Sequence, residues 1–344
     1  MAVGARIPVN LITGFLGSGK TTLLQRLLQS PELGTTAVLI NEFGEIGLDH
    51  YLLERVDEAT VLLKSGCVCC SIRGDLRDAI GDLYDRRERG LVAPFERLVV
   101  ETTGLADPVP IVTTLTADPV LCHHFRLGTI VTVVDAVSGL SNLASFEESR
   151  RQAAVADRLV ISKGDIAEAA AIDRLRASLG RLNPTAVQLD AARDPQSATQ
   201  LLAGDIDDPL AEGKEARRWL SEEEELRAGH HHDADHRHNH GDEIVAFSVR
   251  LDEPLHWSAF AVWLTMLLHR HSRTILRVKG LLCVAGVPTP VVIHGVQHTI
   301  HPPIHLAAWP EGAPGTRLII IAKGLDRGRV EASLAAFNRV ATAA

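Results

Sequence analysis

The segment Gly14-Phe15-Leu16-Gly17-Ser18-Gly19-Lys20-Thr21-Thr22 has the spacing G-x-x-x-x-G-K-[ST]. Glycines at these intervals let a backbone curl round a phosphate chain. The amides of Gly14, Gly17, Ser18 and Gly19, and then of Lys20, Thr21 and Thr22, can turn towards the anion at the positive end of a helix. Lys20 is placed to reach the β- and γ-phosphates, and the Thr21 hydroxyl to ligate Mg²⁺. The apolar, β-branched run Ile7–Thr13 before the glycines reads as a buried strand. Leu23, Leu24, Leu27 and Leu28 after them recur at helical spacing. A strand-to-helix turn is the context this loop needs, and it points to a nucleotide.

Two later strands end in an acid that could serve Mg²⁺, Glu101 and Asp135. Glu101 is followed at the right interval by Gly104, whose amide can meet a γ-phosphate, whereas Asp135 has Ser138 there. Glu101 is therefore the expected Mg²⁺ partner of Thr21, and Asp135 a polar strand end. No glutamine follows Gly104; the next residue is Leu105, so a side chain to orient an attacking water is missing from its usual place. Slow intrinsic hydrolysis follows, with a partner, a metal or a homodimer needed to complete the site.

Further along, Ser162-Lys163-Gly164-Asp165 has the form of a guanine-reading turn. Asp165 would accept from the base N1 and N2 groups, and the Lys163 stem would lie along the ring. Serine stands where asparagine is commoner, which predicts the loss of one brace to the phosphate loop.

Three of the five cysteines, Cys67, Cys69 and Cys70, fall within four positions after Gly66. Thiolates are soft donors for Zn²⁺ or Cu(I), and adjacent cysteines make strained disulfides, so metal binding is the expectation. A tetrahedral ion needs a fourth ligand, which Glu42, a water, a histidine or a client protein could supply. Six of the eleven residues from His230 to His240 are histidine, a tract able to hold several ions weakly. Cys122 and Cys283 read as core residues, and His294, His298, His301 and His305 as structural or partner-facing.

Strands are expected at Thr36–Ile40, Arg97–Val100, Thr129–Val134 and Arg158–Ile161, and an amphipathic helix at Asp75–Arg89. Strands alternating with helical stretches predict a mainly parallel, doubly covered sheet over residues 1–205. An acidic, His-rich linker fills 206–242. A smaller α+β domain occupies 243–344, with a strand from Glu243, a helix over His256–His271, three further strands and a closing helix over Arg327–Val340. The expected fold class is thus α/β: a P-loop NTPase domain followed by a C-terminal α+β domain.

Composition narrows the function. The chain has 344 residues, 46% hydrophobic, and a net charge of -8, which argues against a nucleic-acid surface. No apolar run is long enough to span a bilayer, the N-terminus lacks a secretory pattern, and the cysteine usage suits a reducing compartment. A cytoplasmic protein is expected.

Together, Gly14–Thr22, Asn41-Glu42-Phe43-Gly44-Glu45, Gly66-Cys67-Val68-Cys69-Cys70, Glu101-Thr102-Thr103-Gly104 and Ser162-Lys163-Gly164-Asp165 resemble, in content and order, the CobW-like metallochaperone GTPases. These are relatives of the urease- and hydrogenase-maturation GTPases. The resemblance implies GTP/GDP and Mg²⁺ binding, slow GTP hydrolysis and a transition-metal site at the cysteines. Zn²⁺ is the commonest metal, with Co²⁺ and Ni²⁺ as alternatives, and Glu42 lies near it. It implies a client metalloprotein without naming one. A metal buffer with a structural nucleotide, and a P-loop ATPase or small-molecule kinase, are the competing functions.

Overall fold

Continuous apolar runs bounded by glycine and polar residues suit strands buried on both faces, and they form the larger sheet. The structure, a computed structural model, describes residues 6–30, 35–40, 60–64, 72–192, 201–202, 243–310 and 314–342. The strands are β1 (Ile7–Thr13), β2 (Thr36–Ile40), β3 (Thr60–Lys64), β4 (Arg97–Glu101), β5 (Phe125–Asp135), β6 (Arg158–Ser162) and β7 (Val187–Asp190). Their order is β3-β2-β4-β1-β5-β6-β7, and every pairing is parallel.

The helices of this part are α1 (Lys20–Leu28), α2 (Ile72–Glu88), α3 (Val109–Ala117), α4 (Pro119–His124), α5 (Gly139–Ser145), α6 (Glu147–Val155) and α7 (Ala169–Leu182). Leu23, Leu24 and Leu27 of α1 pack with Ile12, Val38, Val99, Val131, Val133 and Val160 of the strands; Leu28 is partly buried beside them. Leu76, Ile80 and Leu83 make the buried stripe of α2.

Parallel pairing brings every strand's carboxyl end to one edge. Glu101 lies in register with Ile12, Thr132 with Thr13, and Ser162 with Asp135. On the other side, Glu101 is in register with Ile40, and Ile40 with Lys64. Ligands in open α/β sheets bind along this edge, where strand order reverses about β1.

Internal contacts divide the chain into one unit of Met1–Ala177 with Ala186–Ile206, and another of Ser178–Thr185 with Asp207–Ala344. The second contains β8 (Ile244–Leu251), α8 (Trp257–Arg270), β9 (Ile275–Leu282), β10 (Val291–Val296), β11 (Thr299–Ile300), β12 (Ile304–His305), β13 (Thr316–Lys323) and α9 (Arg327–Thr342). Its antiparallel order is β11-β10-β9-β13-β8, with β12 on β10. Phe260, Trp263 and Leu264 of α8 and Val330 and Leu334 of α9 share one core with Val278, Leu318 and Ile320, so both helices cover the same face. Trp263 Nε1 donates to Ser333 Oγ at 2.9 Å, and Asn338 accepts from the His256 amide and donates to the Pro254 carbonyl.

Several expectations need correction. Strand β3 went uncounted, so the strand at Arg97 is the fourth in the chain. Strand β7 escaped because Val187, Gln188 and Leu189 are half-buried at the sheet edge, leaving no apolar run to read. Helix α2 spans Ile72–Glu88 rather than Asp75–Arg89; Ile72, four residues before Leu76, already stands in the period of Leu76, Ile80 and Leu83. Cys122, on the short helix α4, and Cys283, just past β9, are half-buried rather than core residues; burial still raises the Cys283 thiol pKa. His294 is buried in β10, whereas His298 and His305 are exposed.

Leu11, fully enclosed in β1 between β4 and β5, tests this core. Leu11→Ala should lower the stability of the first unit by about 2–5 kcal/mol, read as an earlier urea midpoint.

Candidate functional site

The phosphate-binding loop leaves β1 at the sheet centre. Gly14 takes φ 145°, and a Cβ there would lie 2.3 Å from the Val133 carbonyl oxygen, so this close approach to β5 admits only glycine. The Ser18 amide closes back on the Phe15 carbonyl at 3.2 Å, and Gly19, at φ 92°, opens α1. Helix α1 has no acid in its first turn to compete with an incoming anion. Lys20 Nζ donates to the carbonyls of Gly14 at 3.0 Å and Phe15 at 3.2 Å, which holds the ammonium over the loop. Thr22 is exposed one residue further along.

Thr21 Oγ1 donates to Glu101 Oε1 at 2.7 Å. Glu101 is 2% exposed at the end of β4 and, through this bond, joins the helix that follows the phosphate loop. Beside it, the Thr102 amide donates to the Ile12 carbonyl, and Thr102 Oγ1 to Thr13 Oγ1 at 2.8 Å. Gly104 then passes so close to the phosphate loop that a Cβ would lie 2.7 Å from Leu16 Cα and 2.8 Å from its nitrogen.

The turn Ser162–Asp165 corrects an expectation. Ser162 Oγ donates to the Ser18 carbonyl at 2.6 Å, so the hydroxyl itself ties this turn to the phosphate loop. No brace is lost, because Ser162, the last residue of β6, lies close enough for a short side chain to reach. Lys163 adopts φ 57°, and Asp165 stands exposed on the turn.

Asp135 is more than a polar strand end. Its Oδ2 accepts from Lys163 Nζ, and its Oδ1 from the amides of Val137 at 2.7 Å and Ser138 at 3.4 Å. Burial pushes this carboxyl upwards, but the Lys163 bond and the two amides outweigh it and hold the pKa below its ordinary value. The last residue of β5 therefore holds the lysine of the turn after β6.

Gly14, Ser18, Gly19, Lys20, Thr21, Glu101, Gly104, Ser162 and Lys163 thus share the carboxyl edge of one sheet. Glu42, the Asn41–Glu45 stretch, Cys67, Cys69, Cys70 and the His230–His240 tract lie outside the described residues. Among the described residues no group of three or more His, Cys, Asp or Glu could hold a metal ion, and no helix is long and apolar enough to cross a membrane. Two participants carry no motif. Phe146 packs against Phe15 in a tilted arrangement with ring centroids 4.6 Å apart, and Gln152 of α6 donates to the loop carrying Gly104.

Residues 8–190 match the family model for the CobW/HypB/UreG nucleotide-binding domain, and residues 244–338 that for the cobalamin synthesis protein cobW C-terminal domain. The chain belongs to the CobW/HypB/UreG family. It is 32% identical over 335 residues to the zinc chaperone YjiA of Escherichia coli, covering 97% of this chain and 99% of the relative. The zinc chaperone CobW of Pseudomonas aeruginosa is 29% identical, with 95% and 90% covered. The crystal structure of Zn(II)-bound YjiA GTPase from E. coli superposes with a TM-score of 0.67 at 25% identity, over 97% of this chain and 99% of that one. The two-domain CobW-type architecture therefore extends through the second unit.

The depressed pKa of Asp135 sets a pH signature. Its stabilising contribution is present above the unfolded carboxyl's value of about 4 and is lost as pH falls through the lower folded value. Asp135→Asn should cost about 1 kcal/mol at neutral pH, the lysine being part-exposed. In thermal unfolding that deficit should hold down to about pH 5 and shrink in more acid solution.

Proposed function

We propose that this CobW-family chain is a GTP-binding, slowly GTP-hydrolysing metallochaperone that carries a transition metal to a client metalloprotein. Cys67, Cys69 and Cys70, with Glu42, are its metal ligands; zinc is the first choice of cargo, and Co²⁺ and Ni²⁺ share the donor chemistry. The observation carrying this reading is the Thr21–Glu101 hydrogen bond at 2.7 Å beside Gly104. It joins a phosphate loop to the end of β4 in a chain matched along nearly its whole length by relatives named zinc chaperones.

The roles follow from position. Lys20 pairs with the β- and γ-phosphates. The amides of Gly14, Gly17, Ser18, Gly19, Thr21 and Thr22 cradle them, and the Gly104 amide meets the γ-phosphate. Thr21 and Glu101 offer hard oxygen donors that fit Mg²⁺, which when bound neutralises phosphate charge. Asp165 selects guanine, Asp135 orients Lys163, and Ser162 fixes the turn. Leu105, exposed and apolar, cannot orient a water, which makes intrinsic turnover slow.

Chain geometry supports a link between nucleotide and metal. Lys64, Ile40 and Glu101 occupy one register row at the sheet's carboxyl edge. In sequence, Cys67 follows Lys64 by three residues and Glu42 follows Ile40 by two. Both proposed metal-ligand segments thus follow directly in sequence on strands whose ends share the edge that presents Glu101. Segments that order around a γ-phosphate and relax on hydrolysis would then hold metal in the GTP state and release it afterwards.

Nucleotide competition and metal analysis test the two halves separately. GTP should displace a fluorescent guanine nucleotide and ATP should not; Asp165→Asn should abolish that preference. Purified protein should retain about one Zn²⁺ per chain, lost in the Cys67/Cys69/Cys70→Ala variant. Equal competition by ATP, or full zinc retention without the cysteines, would sink the corresponding half. Turnover of the isolated protein should fall well below the roughly 10 s⁻¹ of a typical enzyme.

A further inference from the structure

Gln152 is a buried polar side chain that no motif predicts and no step above uses. It sits in α6, is 0% exposed, and donates through Nε2 to the carbonyls of Gly104 at 3.2 Å and Ala106 at 3.0 Å. Its own carbonyl accepts from Thr132 Oγ1 of β5 at 2.8 Å, which fixes the helix to the sheet. The neighbouring Arg151 Nε pairs with Asp107 Oδ2 at 3.2 Å, one residue beyond Ala106. Just before α6, Phe146 packs at a tilt against Phe15 of the phosphate loop. One short helix thus grips the Gly104–Asp107 loop at three positions and touches the phosphate loop as well.

The Gln152 contacts are one-sided. Both amide protons are used, while the buried Oε1 has no hydrogen-bond partner among the described residues. A side chain kept in place at that cost is held for what it donates. Its targets are the carbonyls of the loop pressed against Leu16. Pinning the Gly104 carbonyl fixes the peptide plane it shares with the Leu105 nitrogen and so restricts rotation about the Gly104 Cα–C bond, which limits how the residue carrying the Gly104 amide can turn.

We propose that Gln152 is a positioning residue for γ-phosphate recognition: by holding the carbonyls of Gly104 and Ala106 it presents the Gly104 amide to a nucleoside triphosphate and sets the preference for triphosphate over diphosphate. The inference rests on the nucleotide reading above. It assigns to a helix 48 residues downstream of Gly104 a task that loop sequence alone does not show.

The test is calorimetric titration of the full chain, with Mg²⁺, by a non-hydrolysable GTP analogue and by GDP. Gln152→Met, close in volume but unable to donate, should weaken the analogue about 10-fold and GDP by less than about twofold. Gln152→Glu, which sets an acceptor against two carbonyls, should widen that gap. Arg151→Ala, at a part-exposed ion pair that the fold does not need, should move the ratio the same way by about two- to threefold. It decides the matter if Gln152→Met does not fold. Equal loss of both nucleotides, or an unchanged ratio in the folded variants, overturns the role of Gln152. Failure of the unaltered chain to bind either guanine nucleotide overturns the nucleotide reading instead.

Discussion

The hydrogen bond from Thr21 to Glu101 is the contact through which the rest of this structure acquires a function. It joins the first turn of the helix behind the phosphate loop to the end of a strand 80 residues away. Parallel pairing is what makes it available. With β4 beside β1 and Ile12 in register with Glu101, the acid must emerge where the glycine loop turns. A strand order that separated β1 from β4 would leave a buried carboxylate with no cation to serve. That is a costly arrangement unless the charge is paired.

The same edge organises specificity. The turn after β6 reaches the phosphate loop through Ser162, and the end of β5 reaches that turn through Asp135 and Lys163. The residues proposed to read phosphate, magnesium and base are therefore tied to one another through side-chain bonds. Movement in one loop is felt by its neighbours because these bonds have definite partners. The proposed link to metal starts from a simpler fact: β3, whose last residue Lys64 precedes the cysteine stretch in sequence, ends in register with β2, and β2 with β4.

Much of the first sheet was legible in the sequence because its signals are local. The glycine spacing, the leucines of α1 and the acid or lysine at each strand end all lie within a few residues of the element they mark. What escaped depends on neighbours distant along the chain. Nothing in Glu147–Val155 distinguishes Gln152 from an ordinary helical glutamine. Its meaning comes from the Gly104 and Ala106 carbonyls that the fold brings to it. Ser162 was misjudged for a related reason: whether a short hydroxyl can replace a longer amide is decided by a separation in space, here 2.6 Å. Strand β7 was missed because an edge strand with half-buried residues lacks the apolar run that marked its neighbours. In the second unit the alternation of apolar residues revealed the main strands. The two-residue strands β11 and β12 are too short to show any period.

The central claim is that nucleotide state and metal affinity bias each other through one sheet edge. The direct measurement is Zn²⁺ affinity of the full chain, by competition with a chromophoric chelator, once saturated with a GTP analogue and once with GDP. The account predicts tighter zinc binding in the triphosphate form, by a factor in the range of about 5 to 150. It also predicts an equal tightening of the analogue when zinc is saturating, because such coupling is reciprocal. Identical zinc affinities in the two nucleotide states would contradict it.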